Sequence, residues 1–200
     1  MLIWLIRHGR TNLNAEGRMQ GRTDEPLNEE GIQQAQLAAQ WIAKWSGGVQ
    51  FDRVYASPLD RAIHTASIVS GWDREDIVKD ERLLEMDFGP YELKKYGAMG
   101  IPMTLYWMLP EVFPAPKGVE PVPELAKRSA SFLKEVEREK DTLKNVLIAA
   151  HGEILRGLTG YLLDRKSGMA WRSPYKNCEV RVFEWDGKYH SCVAQYRLNK

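Results

Sequence analysis

Apolar positions along the chain fall into three near-continuous runs and several periodic ones, and together they predict a buried sheet wrapped by helices. Leu2 to Ile6, Phe51 to Ala56 and Asn145 to Ala150 read as strands covered on both faces. Residues 28 to about 45 set Ile32, Ala35, Ala39 and Ile42 on one helical stripe. Asn28 opens that helix with Glu29 and Glu30 in its first turn, and Ser46-Gly47-Gly48 closes it. Trp41 and Trp45 read as packing residues within it. Residues 123 to about 143 carry a second stripe through Leu125, Ser129, Phe132, Val136 and Leu143, and another helix is predicted over Glu153 to Leu163. A further helix is predicted after the second run, with Ser57 as its cap, Pro58 in its first position and Asp60 completing a box-like pattern. Ile77 to Leu84 reads as extended or loop-like. Val180 to Trp185 and Tyr189 to Arg197 alternate with period two around Asp186-Gly187, which signals a hairpin.

Composition narrows the class. Two hundred residues, 28% charged and 44% hydrophobic, suit one globular domain over 1–200. A net charge of +1 gives no global basic field, which argues against nucleic acid as a main partner and makes any basic site local. Cys178 and Cys192 are too few for a disulfide framework. Both fall in strand-like segments and are expected to be ordinary buried thiols in a reducing compartment. The first apolar run is broken by Arg7 too early for a signal peptide, and no run approaches the roughly 20 apolar residues of a membrane span. The expectation is a cytoplasmic protein without a membrane partner.

The chemistry gathers where the runs stop. The first ends abruptly in Arg7-His8-Gly9, and in open α/β sheets ligands bind at that end of the strands. Gly9 permits a sharp turn or a close approach to a ligand. Arg10, Thr11, Asn14, Arg18, Gln20 and Arg22 follow, spaced by Gly17 and Gly21, and read as a loop that wraps an anion. The third run ends the same way, in His151-Gly152. Arg61 falls one turn inside the helix after the second run. A metal site from His8, His151 and Glu85 is disfavoured, because adjacent guanidiniums repel a cation and no spacing such as H-E-x-x-H is present.

Arg7-His8-Gly9-Arg10-Thr11-x-x-Asn14, Gly17-Arg18-x-Gln20-Gly21-x-x-Asp24-x-Pro26-Leu27, Gly31 and Gln34-Ala35 together resemble the start of the histidine phosphatase (phosphoglycerate-mutase-like) superfamily. Ser57 to Ala62 matches its S-x-x-x-R-A element, and Glu85 to Glu92 resembles its E-x-x-x-G-x-W/Y-E stretch. His151-Gly152 matches its second H-G, and Asn177 resembles an Asn near its pocket. His64, where the family often has Gln, reads as a helix-face residue. Three positions depart from the pattern. Arg10 replaces a Glu and is expected to make the pocket rim more basic. Leu93 replaces a Gly and is expected to alter the local backbone. Glu153 replaces a common second Gly. The likeness is weakest over 94–122, a cap-like insert rich in Met, aromatics and Pro. That segment is expected either to form an apolar wall over the pocket or to be a short helix packed on the core.

The resemblance implies an α/β fold, a three-layer sandwich with a mostly parallel central sheet flanked by helices, a C-terminal β-hairpin and a small cap segment. It implies metal-independent hydrolysis of a small phosphate monoester through a phosphohistidine, with no cofactor. In that scheme His8 is the neutral nucleophile and Glu85 the proton donor. Arg7, Arg61 and a protonated His151 stabilise the transferring phosphoryl, while Asn14, Gln20, Gly21 and Gly152 contact the phosphate. The alternatives are phosphoglycerate-mutase-type transfer, disfavoured because the middle segment does not resemble the mutase insert, and a phosphoryl-binding module without turnover, motivated by Arg10, Leu93 and Glu153.

Overall fold

In the computed structural model, which describes residues 1–110 and 112–198, six strands form one mixed sheet. They are β1 (Leu2–Arg7), β2 (Arg53–Ala56), β3 (Val78–Lys79), β4 (Asn145–Ala150), β5 (Val180–Trp185) and β6 (His190–Tyr196), in the order β3-β2-β4-β1-β5-β6. The three predicted buried runs are the adjacent parallel strands β2, β4 and β1. Their continuity follows from the layering. Ile3 and Leu5 of β1 pack into one core with α5 (Val122–Arg138) and α6 (Gly152–Leu162). Trp4 and Ile6 pack into the other with α2 (Glu29–Ser46) and α3 (Asp60–Ser70). A strand that feeds two cores has no polar face to show. The hairpin β5–β6 closes the antiparallel edge, with Asp186 Oδ1 accepting the N–H groups of Lys188 and Tyr189 in the turn.

Several expectations are corrected. Ser57 does not cap a helix. α3 begins at Asp60, and the Ser57 hydroxyl accepts the Leu59 N–H instead, so residues 57–59 carry the chain beyond the sheet before Arg61 turns in. α5 ends at Arg138, and Leu143 is buried from the turn that leads into β4. A four-residue helix, α1 (Asn12–Ala15), lies where a loop was expected. It is too short to show periodicity, and a reciprocal Thr11–Asn14 capping box fixes it. Cys178 is buried but sits in the turn before β5 at φ +53°, and Cys192 lies exposed on the edge strand β6. Leu93 adopts the left-handed conformation, φ +65°, that the replaced glycine would favour, so the backbone there keeps that form despite the substitution. The Leu93 N–H donates to the Met19 carbonyl at 2.7 Å, and its own carbonyl accepts from Arg18 at 2.8 Å; both bonds hold the residue in place.

Within 94–122, α4 (Gly100–Met108) buries Met103 and Tyr106 in the core. The Tyr106 hydroxyl accepts the Val122 N–H and donates to the Glu120 carbonyl, which ties α4 to the start of α5. No helix among the described residues is long and apolar enough to cross a membrane.

The turn after β1 packs directly on the start of α2. A Cβ on Gly31 would overlap the Arg10 carbonyl oxygen, and one on Gly9 would overlap the Gly31 carbonyl oxygen. Backbone stands against backbone here, so neither side can yield as a flexible side chain would. Gly31→Ala is therefore expected to lower stability by about 1–3 kcal/mol, the usual cost of overpacking. Urea denaturation checks this, and an unchanged midpoint would contradict the close approach.

Candidate active site

β1 and β4 pair in parallel with Arg7 opposite Ala150, so the next residues, His8 and His151, leave the sheet side by side. Their ring centroids lie 5.1 Å apart, and both side chains are buried. His8 Nδ1 lies 2.7 Å from the Gly9 carbonyl oxygen. A carbonyl can only accept, so the ring proton is on Nδ1 and Nε2 carries the free lone pair. The Gly9 N–H in turn donates to Thr65 Oγ1, and that hydroxyl donates to the Arg61 carbonyl, which ties the turn to α3. Burial, reinforced by the charges of Arg61 and Arg7, holds the His8 pKa well below its ordinary value, so the imidazole is neutral.

Arg61 is buried, and burial lowers its pKa to about 10, which leaves it cationic at neutral pH. Its Nη1 and Nη2 donate to the carbonyls of Thr23 and Gly21, both at 2.8 Å. Its Nε donates to His151 Nδ1 at 3.2 Å. That bond decides the second imidazole: Nδ1 accepts, so the proton sits on Nε2, which is buried without a partner. His151, expected to be protonated while it stabilises a transferring phosphoryl, is neutral here. Burial first, then Arg61, His8 and Arg7, lower its pKa well below the usual value, so it is a neutral N–H donor.

A cavity of about 160 Å³ opens in front of these groups. Arg7, His8, Asn14, Gln20, Gly21 and Arg61 line it, joined by Glu85 and Gly152. His151 does not itself reach the lining and stands behind, against His8 and Arg61. Arg7 donates through Nη1 to the Tyr175 carbonyl at 2.7 Å, while its Nε is buried and unpartnered. Gln20 bonds to Thr11 Oγ1, and Asn14 accepts from Asn177, whose amide also donates to the His8 carbonyl. Glu85 sits at the start of α6. Its Oε1 accepts the N–H groups of Met86, Glu153 and Ile154 at 2.9–3.1 Å. Arg128 of α5 fixes the segment before it, donating to the carbonyls of Arg82, Leu84 and Glu85.

The loop expected to wrap an anion contributes less than its composition suggested. Arg10 pairs with Glu30 of α2 at 2.7 Å and does not line the cavity, which corrects the more basic rim. Arg18 pairs with Glu16, and Arg22 faces Asp87 and Glu120. Tyr96 and Trp107, from the segment expected either to wall the pocket or to pack as a helix, are on the cavity wall, and the wall residues that sequence reading did not single out are Phe88, Arg156, Pro174 and Tyr175. Arg156 was legible in principle, one helical turn after the Glu153 that was noted only as a departure.

The model of the histidine phosphatase superfamily (branch 1) matches residues 3–196. The chain belongs to this superfamily. It is 32% identical over 200 residues to a Hydrogenobacter thermophilus protein named "Putative phosphoserine phosphatase 2", covering 98% of this chain and 95% of that one. It is 30% identical to the adenosylcobalamin/alpha-ribazole phosphatase of Salmonella typhimurium, over 86% and 84% of the two chains. A phosphoglycerate mutase of Methylorubrum extorquens, named as 2,3-bisphosphoglycerate-dependent, is 31% identical over 78% and 76%. The solved alpha-ribazole phosphatase of Shigella flexneri superposes with a TM-score of 0.82 at 26% identity, over 96% and 94% of the chains.

Beside Glu85 on the same wall stands a second carboxyl group, Glu153. It is buried in the cavity wall, and burial, with the Glu85 carboxylate adding to it, pushes its pKa up to about 7 against the attraction of Arg156 and Arg7. The folded form therefore holds a proton that the unfolded chain releases between its ordinary pKa of 4.5 and about 7, so this group makes stability fall as pH rises through that window. His8 and His151 act oppositely: the unfolded chain takes up protons that the buried imidazoles refuse, so their contribution is lost as pH drops below 6.5. The difference between the intact chain and Glu153→Gln isolates the carboxylate. From pH 4.5 to 7 the variant is expected to gain up to about 3 kcal/mol relative to the intact chain, read from denaturation midpoints across pH. A difference independent of pH would contradict the buried, proton-holding Glu153.

Proposed function

We propose that the chain is a metal-independent phosphatase that hydrolyses a small phosphate monoester through a phosphohistidine on His8. The observation that carries this reading is the His8 tautomer. Its Nδ1 proton is committed to the Gly9 carbonyl, so a neutral ring presents the Nε2 lone pair to a cavity where Arg7 and Arg61 converge. A phosphate ester brings about two negative charges to that point, and guanidiniums hold such oxygens by paired donors. Two relatives that cover most of this chain carry phosphatase names, which supports hydrolysis, and a mutase-named relative at similar identity makes transfer the second reading.

The chemistry runs in two displacements. His8 Nε2 attacks phosphorus, a P–N bond forms, and the P–O bond to the alcohol breaks with its electron pair going to oxygen. Glu85, on the cavity wall, gives that oxygen its proton. Arg7 Nε, buried without a partner among the described residues, supplies a hydrogen bond to the charge on the transferring phosphoryl together with Arg61, and His151, behind His8, adds the dipole of its Nε2–H to the same corner. His151 starts neutral, and an arriving dianion raises its pKa toward the protonated form. Asn14 and Gln20 orient the phosphate, and the bare Gly152 lets it approach the positive end of α6. Water then attacks phosphorus, a P–O bond forms as the P–N bond breaks with its electron pair returning to His8 Nε2, Glu85 takes the water proton, and inorganic phosphate leaves. A 160 Å³ cavity, below the usual 300–1,000 Å³ of ligand pockets, suits a small ester. The two unbridged cysteines support a cytoplasmic setting.

Rapid quenching of turnover with labelled ester is expected to trap label that is stable in alkali and lost in acid. After digestion that label is expected on the peptide containing His8. Steady release of phosphate with no alkali-stable label at His8 would overturn the covalent scheme.

A further inference from the structure

The cationic lining of the cavity is of two kinds. Arg7 and Arg61 stand beside His8 and hydrogen-bond to neutral acceptors, the Tyr175 carbonyl for Arg7 and the Gly21 and Thr23 carbonyls and His151 Nδ1 for Arg61. Arg156, the third guanidinium on the wall, is already engaged: its Nη1 donates to Glu153 Oε2 at 3.0 Å, one helical turn away on α6. Both side chains are close to nine-tenths buried or more, and the Arg156 guanidinium lies 4.9 Å from the Trp171 ring centre, which fixes its plane. Phe88, Tyr96 and Trp107 complete this part of the wall with aromatic surface. The groups that face Glu153 are Arg156 on its own helix, Arg7 from β1 and Glu85 from the segment before α4.

We propose that Glu153, when ionised, sets the substrate class by neutralising Arg156 inside the cavity, so that the site then selects phosphate monoesters whose alcohol portion carries no second negative charge. A carboxylate or second phosphate on the substrate meets the Glu153 carboxylate and finds the only further guanidinium of the described wall taken, and burying like charges together is costly. A hydroxyl can instead donate to Glu153, and an uncharged carbon frame can lie on the aromatic rings. The inference rests on the phosphatase reading for the identity of the phosphate end. It adds a basis for rejecting phosphoglycerate-like esters that the nucleophile and its arginines do not provide.

Glycerol 3-phosphate and 3-phosphoglycerate share their phosphate and three-carbon frame and differ by a hydroxymethyl group in place of a carboxylate. Calorimetric titration of both into His8→Ala protein, at a pH above the Glu153 midpoint near 7, separates binding from turnover. Glycerol 3-phosphate is expected to bind about tenfold or more tightly than 3-phosphoglycerate, and Glu153→Gln in the same background to shift the ratio about tenfold toward 3-phosphoglycerate. Adding Arg156→Met should remove that gain, because the freed guanidinium produces it. Equal affinities in the His8→Ala protein, a ratio unchanged by Glu153→Gln, or a gain that survives loss of Arg156 would each overturn the proposal. Failure of the phosphatase reading shows separately, as no phosphate release from either ester by the intact chain, whatever the binding ratio.

Discussion

The register of β1 against β4 governs the rest of the site. Pairing Arg7 with Ala150 makes the two strands end together, so two imidazoles emerge in contact and both are deprived of water. Arg61 enters from α3 at the end of the neighbouring strand β2 and binds one of the two rings. Four basic groups in one buried corner would be unstable if all were charged. The structure resolves this by leaving the charge on the guanidiniums and taking it from the imidazoles. That division leaves the lone pair of a neutral His8 beside permanent cations.

What surrounds the corner mostly keeps those side chains aimed. Arg61 spends donors on the carbonyls of Gly21 and Thr23, and the loop carrying them is held by Glu92, which accepts the N–H groups of Arg22 and Thr23 at 2.9 Å. Gly21 has φ +56°, and a Cβ there would overlap the Glu92 carboxylate, so glycine is required both by the turn and by this contact. Arg7 is steadied by the Tyr175 carbonyl, and the Tyr175 ring carries Arg181 stacked at 3.8 Å, itself paired with the buried Glu179. Arg128 does the same for Glu85 through three carbonyls. These contacts place side chains without touching the cavity's contents, which is the support a site needs to hold its geometry.

Sequence reading reached the fold through continuity and period: three apolar runs became the adjacent parallel strands, and the alternating pair around Asp186-Gly187 became the hairpin. It reached the site through the Arg-His-Gly and His-Gly strand ends, the arginine after the second run, and the family likeness, which also pointed to Glu85. It could not see direction. Arg10, Arg18 and Arg22 have the composition of an anion loop, yet Arg10 and Arg22 find carboxylates on other elements, a matter of tertiary neighbours, and Arg18 pairs with Glu16 two residues away. Protonation was hidden for the same reason, since the state of His151 depends on which of its nitrogens Arg61 meets. Ser57 looked like a cap because cap chemistry is local, while α3 begins three residues later at Asp60, with no side-chain cap.

The central claim is that an uncharged His8, working with arginines rather than a metal, breaks a phosphate ester bond. Phosphate release from a panel of monoesters in excess EDTA, with the intact chain beside His8→Ala, tests it most directly. Release that resists EDTA and is lost in the variant is the predicted result. Release abolished by EDTA, or retained without His8, would contradict it.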